Sequence, residues 1–154
     1  MSKNKHNLNK SSAALQVVAA YVQAMKERNS KQMISFRAAD FVLDWVHGDA
    51  FEDGPLSEED TEAFWPAWFA GFPELDYEIT RTVAAETVVV TQWIFTGTHT
   101  QPLGSPIFDP PIEGNGRTIR FRGVSVYDIV DNLIQRETTY LDLATFMVEL
   151  GVEL

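Results

Sequence analysis

The sequence predicts an α+β domain in which N-terminal helices pack on one face of a curved antiparallel sheet. Three observations predict it. Apolar residues recur at helical spacing in the first half of the chain; from Asp76 onward the texture turns to strand-length runs of Val, Ile, Thr and aromatic residues; and the helices precede the strands instead of alternating with them. A sheet curled around a long helix leaves a cone-shaped cavity open at one end, a common form of small-molecule site. The length of 154 residues with 45% hydrophobic content suits one domain and argues against intrinsic disorder.

The elements follow in order. Residues 1–11 read as a flexible polar tail and 12–154 as the domain. Leu15, Val18, Ala19, Val22 and Met25 share a helical face, with Ser11 or Ser12 as N-cap. Gln16 and Gln23 interrupt this stretch, so it reads as an amphipathic helix and not as the apolar segment of a signal peptide. Ser30 opens a second short helix through about Arg37, and Phe41 to Val46 reads as a brief strand ending at Gly48. Ser57 caps a third helix whose first turn carries Glu58, Glu59 and Asp60, where the helix dipole favours negative charge; Gly71 and Pro73 stop it. Tyr77 to Val83, Thr87 to Thr98, Thr118 to Val130 and Leu133 to Leu141 read as strands. Asp131-Asn132 suits a tight hairpin between the last two, because Asn tolerates positive φ. Gln101 to Gly116, with four prolines and three glycines, is a loop. Asp142 caps a final helix, Leu143 to Leu150, closed by Gly151.

Charge and composition narrow the function classes. The formal net charge is -10, and the surplus is local: Asp49 to Glu78 holds ten carboxylates and no Lys or Arg. Such a chain is a poor partner for nucleic acid, whose binding is driven by Lys and Arg, and for anionic membranes. No stretch approaches the roughly 18 apolar residues of a membrane span. With no cysteine there is no disulfide, thiolate metal site or thiol nucleophile, and a cytoplasmic location is the default. Phosphate-loop, HExxH and GxSxG motifs are absent, and His47 and His99 are the only histidines beyond the N-terminal His6, so no three-histidine metal site is expected.

The residues left to carry chemistry are few, and each has two readings. His47 shares its strand face with Trp45 and is either a strand-end surface histidine or part of a pocket wall. His99 shares parity with Trp93 and Phe95 and lies either at a cavity rim or in a hydrogen bond that fixes the following loop. Asp142 is either the cap of the last helix or, beside aromatic walls, a carboxylate of raised pKa that abstracts a proton next to a carbonyl. Trp45, Trp65, Trp68, Phe69, Trp93, Phe95, Tyr127 and Tyr140 are core residues or the walls of a site for a flat or apolar ligand.

Trp45-Val46-His47, Phe64 to Phe72 followed by Pro73, Gly97-Thr98-His99-Thr100, a Pro/Gly loop ending at Gly116-Arg117, Asp131-Asn132-Leu133-Ile134, and Tyr140-Leu141-Asp142 with Glu149-Leu150-Gly151 together resemble the SnoaL-like polyketide cyclase family of the nuclear transport factor 2-like (cystatin-like) superfamily. The resemblance spans about Ala13 to Gly151. It implies an α+β cone, homodimers or tetramers formed through the sheets, and cofactor-free aldol cyclisation of polyketides by a cavity carboxylate, here matched by Asp142, with His99 and His47 on the histidine-bearing stretches. The chain departs from the family where Val124-Ser125-Val126-Tyr127-Asp128 lacks the amide or imidazole that stabilises enolate charge, where the turn is Asp131-Asn132 and not Asp-Gly, and where Gln101 replaces a glycine.

The leading expectation is proton-transfer chemistry on a small apolar or aromatic carbonyl compound with Asp142 as base, no cofactor and no metal. A non-catalytic ligand-binding or dimerisation module, and a ketosteroid-isomerase-like isomerase or dehydratase, stand beside it. Outward-facing Val88, Val90, Ile94, Val124 and Val126 point to a homodimer. The acidic segment, placed at the cavity mouth, would favour neutral ligands over anions.

Overall fold

The computed structural model describes residues 2–48 and 51–153, with the backbone alone for residues 2–10. Asp49, the first carboxylate of the acidic segment, and the side chain of His6 lie outside the described residues. The elements are α1 (Ser2–Lys26), α2 (Ser30–Ser35), β1 (Arg37–Val46), α3 (Glu58–Gly71), β2 (Glu74–Ala84), β3 (Val88–Thr98), β4 (Thr118–Val130), β5 (Leu133–Leu141) and α4 (Leu143–Glu149). The α+β expectation holds, and several boundaries move, β2 starting at Glu74 instead of Tyr77 among them. The helix α1 starts at Ser2, so Ser11 and Ser12 lie inside it and do not cap it; no Gly or Pro between Ser2 and Lys10 interrupts propagation. The cap of α2 is Asn29, whose side chain accepts from Gln32 N–H at 3.0 Å. β1 begins at Arg37, four residues before the expected Phe41.

One five-stranded sheet, ordered β1-β5-β4-β3-β2, carries the fold. Its hairpins are antiparallel, while β1 pairs parallel to β5. Asp131 and Asn132 both take positive φ, 52° and 60°, as a two-residue hairpin turn demands. Ser57 Oγ accepts from Asp60 N–H at 3.1 Å, which fixes the start of α3 beneath its acidic first turn. The remaining acids of the segment do not all sit in loops: Glu74, Asp76 and Glu78 are exposed on β2, an edge strand, where charge discourages pairing with another chain.

Strand alternation sorts the sheet into two faces. On β3, Val89, Thr91, Trp93, Phe95 and Gly97 are buried, with His99 buried just past its end, while Val88, Val90, Ile94 and Thr96 are half-buried on the other side. The buried face receives Val18, Tyr21, Val22 and Met25 of α1, Phe64, Trp65 and Trp68 of α3, and Phe146 of α4. Trp68 is the centre of this core. Its ring centroid lies 5.0 to 6.2 Å from those of Trp45, Phe64, Phe72, Phe95, Phe121 and Phe146.

Candidate functional site

The interior cavity lies between α3 and the buried sheet face. Its apolar wall is made by Trp45, Trp65, Trp68, Phe69, Trp93 and Phe95, which the structure brings together around one space. Its polar end is Ser125 of β4 with Glu137 and Thr139 of β5. The space left free is only about 10 Å³, room for roughly one water. Half-buried Trp45, Phe69 and Leu75 are the least enclosed of its walls.

Glu137 is the carboxylate at this site, and the sequence pattern missed it. The reason is a one-residue irregularity in β5. Ile129 pairs with Ile134 but Asp128 pairs with Arg136, so Gln135 is unmatched and the alternation flips. Straight alternation from buried Ile134 would turn Arg136, Thr138, Tyr140 and Asp142 inward; the bulge instead buries Glu137 and Thr139, at 1% and 2% exposure, and sends Tyr140 outward at 53%. The available signal was register: inward Glu137 and Thr139 stand opposite inward Tyr127 and Ser125.

Burial pushes the Glu137 carboxyl up to about 7, against the lowering pull of the Arg37 guanidinium and the nearby Tyr127 hydroxyl. Its Oε2 is buried with no hydrogen-bond partner among the described residues. Arg37 Nη2 donates to Tyr21 Oη at 2.9 Å, and the guanidinium lies 4.3 Å over the Phe41 ring. Around the carboxylate, burial raises the phenol pKa values of Tyr21, Tyr77 and Tyr127, with the Glu137 charge adding to each, so all three stay protonated donors.

The hydroxyls beside Glu137 have a hydrogen to spare. Trp93 Nε1–H donates to Ser125 Oγ at 2.9 Å, and Ser125 Oγ and Thr139 Oγ1 lie 2.8 Å apart with either as donor. Three hydrogens serve two bonds, so whichever hydroxyl accepts in the second bond keeps its own hydrogen free for a third group. Trp65 Nε1, on the opposite wall, is likewise buried with no hydrogen-bond partner among the described residues. The site therefore sets one carboxylate between unspent N–H and O–H donors.

Asp142, His99 and His47 do not meet here. Asp142 caps α4, accepting from Thr145 N–H at 3.3 Å and Thr145 Oγ1–H at 2.8 Å, and it lies 3.9 Å from the exposed Arg122 on the outer side of the sheet. Those bonds hold its carboxyl below the usual range, the opposite of a base poised near neutrality. With the cap as its task, Asp142→Asn will leave stability within a few tenths of a kcal/mol and turnover unchanged, whereas Asp142→Ala will cost about 1 kcal/mol in a denaturant melt. His47 is exposed past the end of β1, its Nδ1 2.6 Å from the Trp45 carbonyl oxygen. His99 is fully buried with its ring 5.4 Å from Phe72, under the loop that its backbone ties through Arg117 O and Gly116 N–H. Burial lowers its pKa, and it does not line the cavity. Tyr127 is buried against Tyr21 behind the lining, and Tyr140 is on the outer face. Among the described residues no group of three or more His, Asp or Glu is placed to hold a metal ion.

A family model for SnoaL-like polyketide cyclases matches residues 15–150. The chain belongs to the SnoaL-like polyketide cyclase family. Solved SnoaL-like structures repeat its architecture. AclR, a proposed hydroxylase from Streptomyces galilaeus, superposes with a TM-score of 0.77 at 18% identity, covering 92% of this chain and 97% of that one. A proposed SnoaL-like polyketide cyclase from Jannaschia sp. CCS1 gives 0.77 at 16% identity over 94% and 95% of the two chains. IdmH, a proposed polyketide cyclase from Streptomyces antibioticus, gives 0.71 at 22% identity over 90% and 99%. No curated protein matches the sequence. Among the described residues no helix is long and apolar enough to cross a membrane. This SnoaL-like chain thus has the family's fold with its inward carboxylate at Glu137, while the Asp142 that the sequence resemblance singles out serves the last helix.

Proposed function

We propose that the protein performs proton-transfer chemistry on a small, uncharged, apolar carbonyl compound, of the aldol-cyclisation type suggested by the family, with Glu137 as general base. The observation that carries this reading is the placement of Glu137: a buried carboxylate with a free Oε2, ending an aromatic cavity. Glu137 takes the proton from the carbon beside the carbonyl, and the C–H electron pair becomes the enolate double bond. The carbonyl oxygen gains the negative charge, which the Trp65 N–H and the spare Ser125/Thr139 hydroxyl hydrogen are available to receive. The enolate carbon then bonds to a second carbonyl carbon, and the alkoxide so formed recovers the proton from Glu137. No cofactor is needed for these steps. An anionic substrate is disfavoured by the same buried carboxylate and by the acids exposed along β2.

The filled interior sets one condition. A ring-sized ligand enters only if wall side chains such as Phe69 and Trp45 swing aside, which intrinsic tryptophan fluorescence would register. The test is exchange: a panel of ketones and 1,3-dicarbonyl compounds is incubated with the protein in D₂O, and deuterium incorporation next to the carbonyl is followed by NMR. Exchange above the buffer rate supports the reading; binding without exchange of any compound supports a non-catalytic ligand-binding module in its place.

Assembly belongs to the same proposal. Half-buried Val88, Val90, Ile94, Val124 and Val126 with exposed Tyr140 make the outer sheet face apolar, and a second copy covering that face gives a dimer. Light scattering at micromolar concentration should return about twice the chain mass of 17.3 kDa, and a single-chain mass would remove the assembly.

A further inference from the structure

The interior cavity has walls and chemistry but almost no room, and the room lies next to it. Between α1 and β2 runs a groove of about 460 Å³, within the usual range of roughly 300–1,000 Å³ for small-molecule sites, whereas the interior holds about 10 Å³. Tyr77 belongs to the lining of both, so its ring stands where the groove meets the space that ends at Glu137. That ring stacks on Trp93, with centroids 5.1 Å apart.

The groove has the composition of a ligand site. Leu15, Val18, Ala19 and Val22 on α1 face Ile79 on β2, giving an apolar channel along the helix. At its base Thr91 Oγ1, on a residue 1% exposed, has no hydrogen-bond partner among the described residues. A buried hydroxyl in that state costs free energy that a ligand's polar atom would recover. The rim carries Lys26 and Asp76, which lie 4.0 Å apart, and Glu78, an excess of one negative charge that selects against anions.

We infer that the α1–β2 groove is the second half of the binding site, and that the ligand is an elongated, uncharged amphiphile. Its carbonyl head passes Tyr77 to reach Glu137, and its apolar tail lies along Leu15, Val18, Val22 and Ile79. This inference rests on the proton-transfer reading above for the head group. The tail half stands on the groove itself.

A homologous series of methyl ketones, 2-butanone to 2-undecanone, tests both halves in the full chain. Tryptophan quenching reports affinity, and deuterium exchange in the same samples reports the head-group chemistry. In the wild type, affinity should rise about three- to fourfold with each methylene that enters the groove, because each buried CH₂ contributes about 0.8 kcal/mol. Ala19 and Gln23 are exposed and line the groove, so Ala19→Phe or Gln23→Phe fills it without entering the core, and either should abolish the long-chain gain. Gln16→Phe, on an exposed position outside the lining, should keep it, and decanoate should bind more weakly than the ketone of similar length. A long-chain gain that survives both groove variants overturns the groove. Absence of exchange from every sample, including wild type, overturns the proton-transfer reading and with it the head-group placement, whatever the affinities show.

Discussion

Glu137→Gln will lower deuterium exchange into a bound ketone by about 10²- to 10⁴-fold, the range over which a positioned general base contributes, while the fold remains intact. Gln matches the shape of the protonated acid, so the buried site loses its proton acceptor without gaining a cavity. The same variant has a second, opposite effect. The Glu137 carboxyl is raised from 4.5 to about 7 in the folded state, so folding favours its protonated form. Stability from this group is fully present below about pH 4.5 and is lost as pH rises through about 7, where the wild type buries a charge at a cost on the order of 3 kcal/mol. Glu137→Gln removes that dependence. The stability difference between variant and wild type should therefore grow in the variant's favour from pH 4.5 to 8, measured by urea melts at each pH. A difference that stays flat, or exchange unaffected by the substitution, would take Glu137 out of the mechanism. Gain of stability with loss of activity is the pattern expected of a strained functional group.

Trp68→Ala will cost about 3–5 kcal/mol, a large part of the roughly 5–15 kcal/mol that holds a domain of this kind together. Six aromatic rings meet the Trp68 ring, drawn from β1, α3, β3, β4, α4 and the end of α3 at Phe72, so its removal opens a hole where three strands and two helices converge. The loss should appear as a melting temperature lower by about 10 °C or more. Trp68→Phe keeps a ring at the centre and should fall well short of that loss. Equal losses for the two variants would show that ring contact at this position is not what holds the core.

Much of the architecture is legible in local chemistry. Ser57 with Glu58, Glu59 and Asp60 marks the start of α3, and Asp131-Asn132 marks the hairpin by its tolerance of positive φ. Period-two alternation around Trp93 and Phe95 separates the two faces of β3, including the apolar outer set. These signals are legible because each depends on a few neighbouring residues. The start of β1 is less so, since Arg37 to Asp40 lack an apolar alternation and only Arg37 among them pairs with β5, at Ile134, nearly a hundred residues away.

The candidate site divides along the same line. Six of the aromatic residues picked out by type and spacing line one cavity, because large rings on inward positions have nowhere else to go. Asp142 stands outside the cavity and Glu137 inside it for a physical reason: a β-strand reverses every side chain downstream of one unmatched residue, and Gln135 carries no mark of its role in the sequence. His99 has two readings by parity, at a cavity rim or under the following loop, and the structure seals it beneath that loop, whose path over the sheet end is a tertiary matter.

What the sequence determined by itself is the α+β order of elements, the aromatic character of the interior, the polarity of the sheet faces and the family, all consequences of residue type at short range. Only the tertiary structure decided which carboxylate is buried, that the interior is nearly filled, and that open space lies between α1 and β2 with Tyr77 where the two meet. Those outcomes depend on how strands far apart in the chain register and how closely side chains pack, and no window of sequence contains that information.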